Sequence, residues 1–301
     1  MKKTMMTIVA CLIIAAAATA QGVKVSAKME KGMKKTYQSE IVMNVGGKEV
    51  KFGAKQNYVV ADRLPDGYRV DCSTSDFTSN VTDDDVMGML ILLGQQMNEG
   101  MTVSLKTDDD GKVLGLLNGD EVRQHGMDTF DVLLNRLFEK HPEAAQMMPR
   151  EALKAQLTAQ LSDDNLLQSV QEFTNILALN GRQIMTGNQE DHVNTSGLKM
   201  QRTYFLTKKD GSSITTSSKM NMTKDEIKQM IIAQIEKAMP EQAEMIKQNI
   251  DMMMGQLTFD ASEKATYDFG PDGWITSLKA ETTNDAMGQK TTTTASVTLL
   301  K

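Results

Sequence analysis

From Val23 the chain alternates apolar and polar positions: Val23, Val25, Ala27 and Met29 fall on one side, Lys24, Ser26 and Lys28 on the other. That two-residue period is the signature of a half-buried strand. Strand signals continue over Tyr37 to Val45, Val50 to Ala61 and Tyr68 to Phe77, separated by Lys31-Gly32, Gly46-Gly47 and Leu64-Pro65-Asp66-Gly67. In the last of these turns proline presets φ and glycine accepts a positive φ. The pattern predicts an antiparallel meander.

The period then changes to that of a helix. Thr82 can cap a first turn made acidic by Asp83, Asp84 and Asp85, which favours the positive end of the helix dipole. Val86, Met89, Leu90, Leu93 and Met97 recur at helical spacing, and Met87, Ile91 and Leu92 widen the apolar surface. Such a helix calls for burial on more than one side. A hairpin follows, with strands Met101 to Lys106 and Val113 to Leu117 around the turn Asp108-Asp109-Asp110-Gly111.

Residues 120–180 read mainly as helix. Phe130, Leu133, Leu134, Leu137 and Phe138 form one stripe, broken at Pro142; a second helix starting near Pro149 carries Leu153, Leu157 and Leu161. A third, capped by Ser162 or Asp163, turns Leu166, Val170, Phe173 and Leu177 inward and ends at Asn180-Gly181. The last third repeats this grammar. Strands at 198–207 and 212–222 precede a helical segment from Lys224 to Gly255, interrupted at Pro240. Strands at 257–269, Trp274 to Thr283 and Lys290 to Leu300 close the chain. Runs of strands and runs of helices argue an α+β fold: a large curved antiparallel sheet, half-barrel-like, with helices packed on one face. The chain is expected to form a single domain over 21–301, with two pseudo-similar halves, 21–180 and 181–301.

Composition narrows function by exclusion. Of 301 residues 40% are hydrophobic and 24% charged, and the formal charge is −6. An acidic surface argues against nucleic acid, whose phosphates demand basic groups. Residues 1–20, MKKTMMTIVACLIIAAAATA, combine Lys2 and Lys3 with a short apolar run and the small-x-small site Ala18-Thr19-Ala20. They read as a secretory signal cut before Gln21, which places the mature protein in the periplasm or outside the cell. Ile8-Val9-Ala10-Cys11 resembles a lipobox, but too few apolar residues precede Cys11 and the apolar run continues past it. No later segment carries the ~18 consecutive apolar residues of a spanning helix. Cleavage would leave Cys72 as a lone thiol, so packing and not a disulfide must hold the fold.

Catalytic motifs are absent: no Gly-x-Ser-x-Gly elbow, phosphate-binding glycine loop, His-Glu-x-x-His or Cys-x-x-Cys occurs. His125, His141 and His192 are scattered, without a second ligand at metal spacing. Asp108 to Asp110 fails as a calcium loop because Lys106 and Leu117 occupy ligand positions. Neither an enzyme nor a cofactor is expected.

Methionine is the anomaly, with 24 in the sequence against 5% aromatic residues. Three readings follow. Methionine replaces leucine and phenylalanine as core filler; or its unbranched, polarizable side chains line an adaptable apolar cavity; or Met220-x-Met222 and Met252 to Met254 capture copper(I), for which the sequence offers no nearby His or Cys. Under the second reading the lining comprises Met89, Leu93, Met97, Met230, Ile231, Met253 and Trp274.

Met29-Glu30-Lys31-Gly32 with Tyr37, the turn Pro65-Asp66-Gly67-Tyr68, Tyr267-Asp268-Phe269 and Asp272-Gly273-Trp274-Ile275 resemble a family of exported Bacteroidetes proteins with no assigned reaction. The layout of strands and helices is also similar to the periplasmic lipoprotein carriers, in which a half-barrel with helical lids holds acyl chains. That similarity implies a non-enzymatic binding protein for an apolar small molecule such as a lipid acyl chain. The alternative is a cell-envelope protein that binds another protein and has no ligand cavity.

Overall fold

Turn chemistry and alternation together produce a long series of antiparallel strands. The computed structural model describes residues 22–45, 48–82, 84, 88, 89, 92, 97–142, 150–171, 175–194, 197–238, 250, 259–286 and 289–301. The expected leader with Cys11, the Gly46-Gly47 turn, Leu93, Pro149, Phe173, Pro240 and Met253 lie outside the described residues.

The strands are β1 (Val23–Lys24), β2 (Lys34–Val45), β3 (Lys48–Leu64), β4 (Gly67–Ser79), β5 (Thr102–Thr107), β6 (Val113–Leu116), β7 (Gln183–Ile184), β8 (Gln189–Val193), β9 (Lys199–Leu206), β10 (Ser213–Met220), β11 (Phe259–Phe269), β12 (Ile275–Ala286) and β13 (Gln289–Leu299). Eleven of them form one antiparallel sheet in the order β6-β5-β4-β3-β2-β13-β12-β11-β10-β9-β8; β1 pairs with β7 in a separate two-stranded sheet. The two halves of the chain each contribute a run of sequential neighbours, and the runs join where β13 pairs with β2.

The sheet is curved and unclosed. Its covered face is rich in small side chains: Ala265, Ala280 and Ala295 are successive cross-strand partners, and Ala54, Ala261 and Ser218 are buried on the same side. Bending a sheet crowds the side chains on its inner surface, so small residues there permit the curl. Register shifts at Gly53/Lys55, Val60/Asp62 and Asp268/Phe269 add local bends. The other face carries exposed Lys264, Lys279, Glu281, Thr294 and Thr298, as the alternation predicts for a half-solvated sheet.

The helices are α1 (Gly119–Lys140), α2 (Arg150–Gln160), α3 (Asp163–Gln171) and α4 (Lys224–Ala238). Among the described residues strand (49%) far outweighs helix (24%), so the sheet dominates and a clear α+β packing is not what forms. α1 packs on α2 and β5, and α3 on β6, at one end of the sheet. Thr223 and Glu226 make a capping box at the start of α4: the Thr223 hydroxyl accepts from the Glu226 N–H at 3.2 Å, and the Glu226 carboxylate accepts from the Thr223 N–H at 2.9 Å.

What covers much of the sheet is irregular chain. Val23 to Met29 alternates as predicted, with Val25, Ala27 and Met29 buried, yet only Val23–Lys24 pairs as a strand. Beyond it, Val25 N–H donates to Arg182, Ala27 N–H to Asp110 and Lys28 N–H to Asp272. The segment is thus a strap, its backbone satisfied by three separate parts of the chain. It crosses hairpin turns whose glycines admit it. Gly273 has φ +76, and a Cβ there would lie 2.0 Å from the Ser26 carbonyl oxygen. At Gly111 (φ +81) a Cβ would meet the Met29 methyl group at 2.7 Å.

Residues 176–181, expected as the end of a helix, are instead a series of turns. They bury Ile176, Leu177 and Leu179 in the main core beside the strap and Tyr37, Tyr58, Leu105, Ile214, Tyr267, Trp274 and Leu278. The apolar surface that the sheet must cover is therefore supplied here by two extended segments.

Candidate functional site

A cavity with a lining half apolar and half polar lies across β3, β4 and β5. It measures about 190 Å³ and is lined by Tyr58, Cys72, Met101, Val103 and Leu105 with Gln56, Ser73, Thr74, Asn98 and Asn175. Pairing of Tyr58 with Cys72, Cys72 with Val103 and Gln56 with Thr74 sets this surface by register. Tyr58 stands edge-on to Tyr37, with ring centroids 5.8 Å apart. Its hydroxyl is held far above the usual phenol range, first by burial and then by the neighbouring thiol of Cys72. The Cys72 thiol is likewise pushed up by burial and by the Asp71 carboxylate beside it. Both groups are neutral at ordinary pH, so this part of the cavity presents thioether, thiol, aromatic and aliphatic surface with a fringe of amides. The volume falls below the ~300 Å³ at which drug-sized ligand pockets begin, which suits a slender chain better than a bulky ring system.

A second hollow of about 330 Å³ opens on the opposite face, between Glu40, Val42, Lys264, Lys279, Glu281, Thr294 and Ser296. Its lining carries two lysines and two glutamates, the mixed charge of a solvated sheet surface.

Of the described residues expected to line a cavity, Met89 and Met97 share one packed cluster, and Trp274 and Ile231 lie in two others. Trp274 is 2% exposed in the main core, and its indole N–H donates to the Lys28 carbonyl at 2.8 Å. Met89 is buried with Leu133, Leu134 and Leu137 of α1, and Met97 packs against the same cluster with Phe130, Phe138 and Leu153. Ile231 belongs to a third group, with Ile227, Ile250, Met220, Met222, Ile232 and Phe259. Met230 lies half-buried on α4. Methionine spacing detected helical faces; it did not detect the cavity, whose lining comes from strand positions with Asn98, Met101 and Asn175.

At the far end of the sheet the covered face turns polar. The Tyr204 hydroxyl donates to Glu190 at 2.5 Å, Arg202 donates to the same carboxylate at 3.2 Å, and Arg182 pairs with its other oxygen at 2.5 Å. Burial alone would raise the Glu190 carboxyl, but the Tyr204 hydrogen bond and the charges of Arg182 and Arg202 outweigh it and hold it below the usual range. Sequence spacing gave no sign of this cluster, because its members lie on β8, β9 and the turn before β7.

No family's sequence profile matches the chain, and no curated protein matches it. Among solved structures, one described as lipid–protein interactions in lipovitellin aligns with a TM-score of 0.43 and 6% identity. That alignment covers 91% of this chain and 25% of the lipovitellin chain, so the chain spans about a quarter of that relative's length. A porin-like protein from Bacteroides uniformis aligns with a TM-score of 0.21 and 9% identity, over 91% of this chain and 99% of its own. Among the described residues no helix is long and apolar enough to cross a membrane.

Proposed function

We propose that this is an exported, non-enzymatic binding protein that takes an apolar chain, such as a lipid acyl chain, against the covered face of its curved sheet. The observation that carries this reading is the 190 Å³ cavity of Tyr58, Cys72, Met101, Val103 and Leu105. Its apolar surface offers a chain burial worth ~0.8 kcal/mol per methylene, and its amide fringe can orient a polar end. Export is inferred from the charged, apolar and small-residue order of residues 1–20.

Two measurements test the reading. Native mass spectrometry of the purified full chain should show co-purified lipid, and a fluorescent polyene fatty acid should bind saturably. Met101→Trp, which fills the cavity, should weaken that binding at least tenfold. Absence of lipid together with absence of probe binding overturns the proposal, as does probe binding indifferent to Met101→Trp. A reproducible protein partner without lipid would instead favour envelope assembly through the edge strands β6 and β8.

A further inference from the structure

The register of β8, β9 and β10 places three soft or borderline ligands in one row. His192 is the cross-strand partner of Met200, and Met200 is the partner of Met220. Directly opposed residues of antiparallel strands sit about 4.5–5.5 Å apart at Cα, and all three occupy the alternation that includes buried Arg202, Tyr204 and Ser218. Met200 is fully buried, and His192 and Met200 both line a hollow of about 480 Å³ at this edge of the sheet. Met222 lies close by, with its sulfur 3.3 Å from the Lys199 backbone N–H. The Met-x-Met pair of the sequence thus acquires the histidine that it lacked, from a residue 28 positions upstream of Met220.

The hydrogen bonding around His192 is incomplete in a way that a cation would complete. Arg202 Nη2 lies 3.1 Å from His192 Nε2. A guanidinium only donates, so Nε2 must accept and the ring proton sits on Nδ1. Nδ1 is buried and has no hydrogen-bond partner among the described residues. Glu263 Oε2 is equally buried and equally unpartnered, 3.7 Å from Nε2, on a side chain only 4% exposed. A cation on Nδ1 reverses the ring: Nε2 then carries the proton and turns it to Glu263. Metal-bound histidines characteristically donate their other N–H to a carboxylate in this way. One ion would satisfy both orphaned atoms, while Arg202 gives up Nε2 as an acceptor and keeps Glu190 as its partner.

We propose that His192, Met200 and Met220 form a binding site for a soft monovalent cation of the copper(I) class, with Glu263 orienting the imidazole. Thioether sulfur selects such ions over hard divalent ones. The proposal is independent of the apolar-ligand reading, whose cavity lies across β3, β4 and β5.

Silver(I), a redox-inert ion of the same charge and softness, is the probe. Titrated calorimetrically into the full-length mature chain, it should bind with one equivalent at this site, and the methyl resonances of Met200 and Met220 should shift together. Met200→Leu and Met220→Leu conserve volume, and each should weaken silver binding at least tenfold, as should His192→Gln. Glu263→Gln should cost about tenfold through the imidazole, and Met97→Leu nothing. Failure to take up silver overturns the proposal. So does uptake that leaves those two methyl resonances unmoved, or affinity unchanged in the Met200→Leu, Met220→Leu double variant. The methyl shifts are read on the unmutated protein, so a variant that fails to fold leaves the test intact.

Discussion

The indole N–H of Trp274 donates to the carbonyl oxygen of Lys28 at 2.8 Å, across 246 positions of sequence. The Lys28 N–H in turn donates to the Asp272 carbonyl at 2.8 Å, so the strap and the β11–β12 turn hold each other from both sides. Trp274 is therefore a fastener of the strap as well as core. Trp274→Phe retains much of the apolar contact but leaves the Lys28 carbonyl without its donor, at a cost of about 1–3 kcal/mol. Trp274→Ala adds a cavity and should cost about 3–5 kcal/mol. Urea denaturation of both variants measures the difference. A Trp274→Phe variant as stable as the parent would show that the hydrogen bond contributes nothing, and equal losses in the two variants would show that the ring's apolar contact contributes nothing beyond it.

Acid should loosen the polar end of the sheet before the apolar end. The Glu190 carboxyl is held below its ordinary 4.5 by Tyr204, Arg182 and Arg202. The unfolded chain binds the proton more readily, so the contribution of Glu190 is fully present above about pH 4.5 and is lost as pH falls through the lower folded value. Glu190→Gln should flatten the acid limb of a stability-against-pH curve. At neutral pH Glu190→Ala should cost the lower end of about 3–5 kcal/mol, because it strands the guanidinium of Arg202 while the lost carboxylate was itself partly solvated. Thermal melts between pH 3 and 7 give both readings.

The sheet was legible wherever its signals were local. Leu64-Pro65-Asp66-Gly67, Asp108 to Gly111 and Gly270 to Gly273 are turns where their chemistry demands them, and the long strands β2, β3, β4, β11, β12 and β13 follow the alternation. The strap was misleading because an irregular segment that buries every second residue has the same period as a strand; only its scattered backbone partners tell the two apart. β8 was invisible for the opposite reason. Its inward positions are Glu190 and His192, so Gln189–Val193 shows no apolar alternation. The candidate sites were hidden by distance: Cys72 meets Val103, and His192 meets Met200, only through the pairing register.

Cys72 offers a chemical view of the apolar cavity. Burial and the Asp71 carboxylate push its thiol up, so the thiolate that reacts with alkylating reagents is scarcer than in a free thiol. At pH 7 iodoacetamide should label native protein at least tenfold more slowly than urea-unfolded protein. If the cavity accepts an apolar chain, saturating fatty acid should slow labelling further. Native labelling as fast as in urea would mean that the cavity lies open to water.

The methionines at α1 decide between filler and adaptable lining. Met89 is 3% exposed against Leu133, Leu134 and Leu137, and the last two are fully buried. A side chain interlocked on that surface leaves a void when truncated, so Met89→Ala should cost about 2–5 kcal/mol, whereas Met89→Leu, which keeps the volume, should cost less than about 1.5 kcal/mol. A lining residue behaves differently: truncation would enlarge a space already present, with little loss of stability and a change in ligand affinity. Urea midpoints paired with fatty-acid titrations separate the two. The packing predicts a large loss for Met89→Ala with unchanged affinity per folded molecule, and the reverse result would move the binding cavity from Met101 and Val103 to the helices.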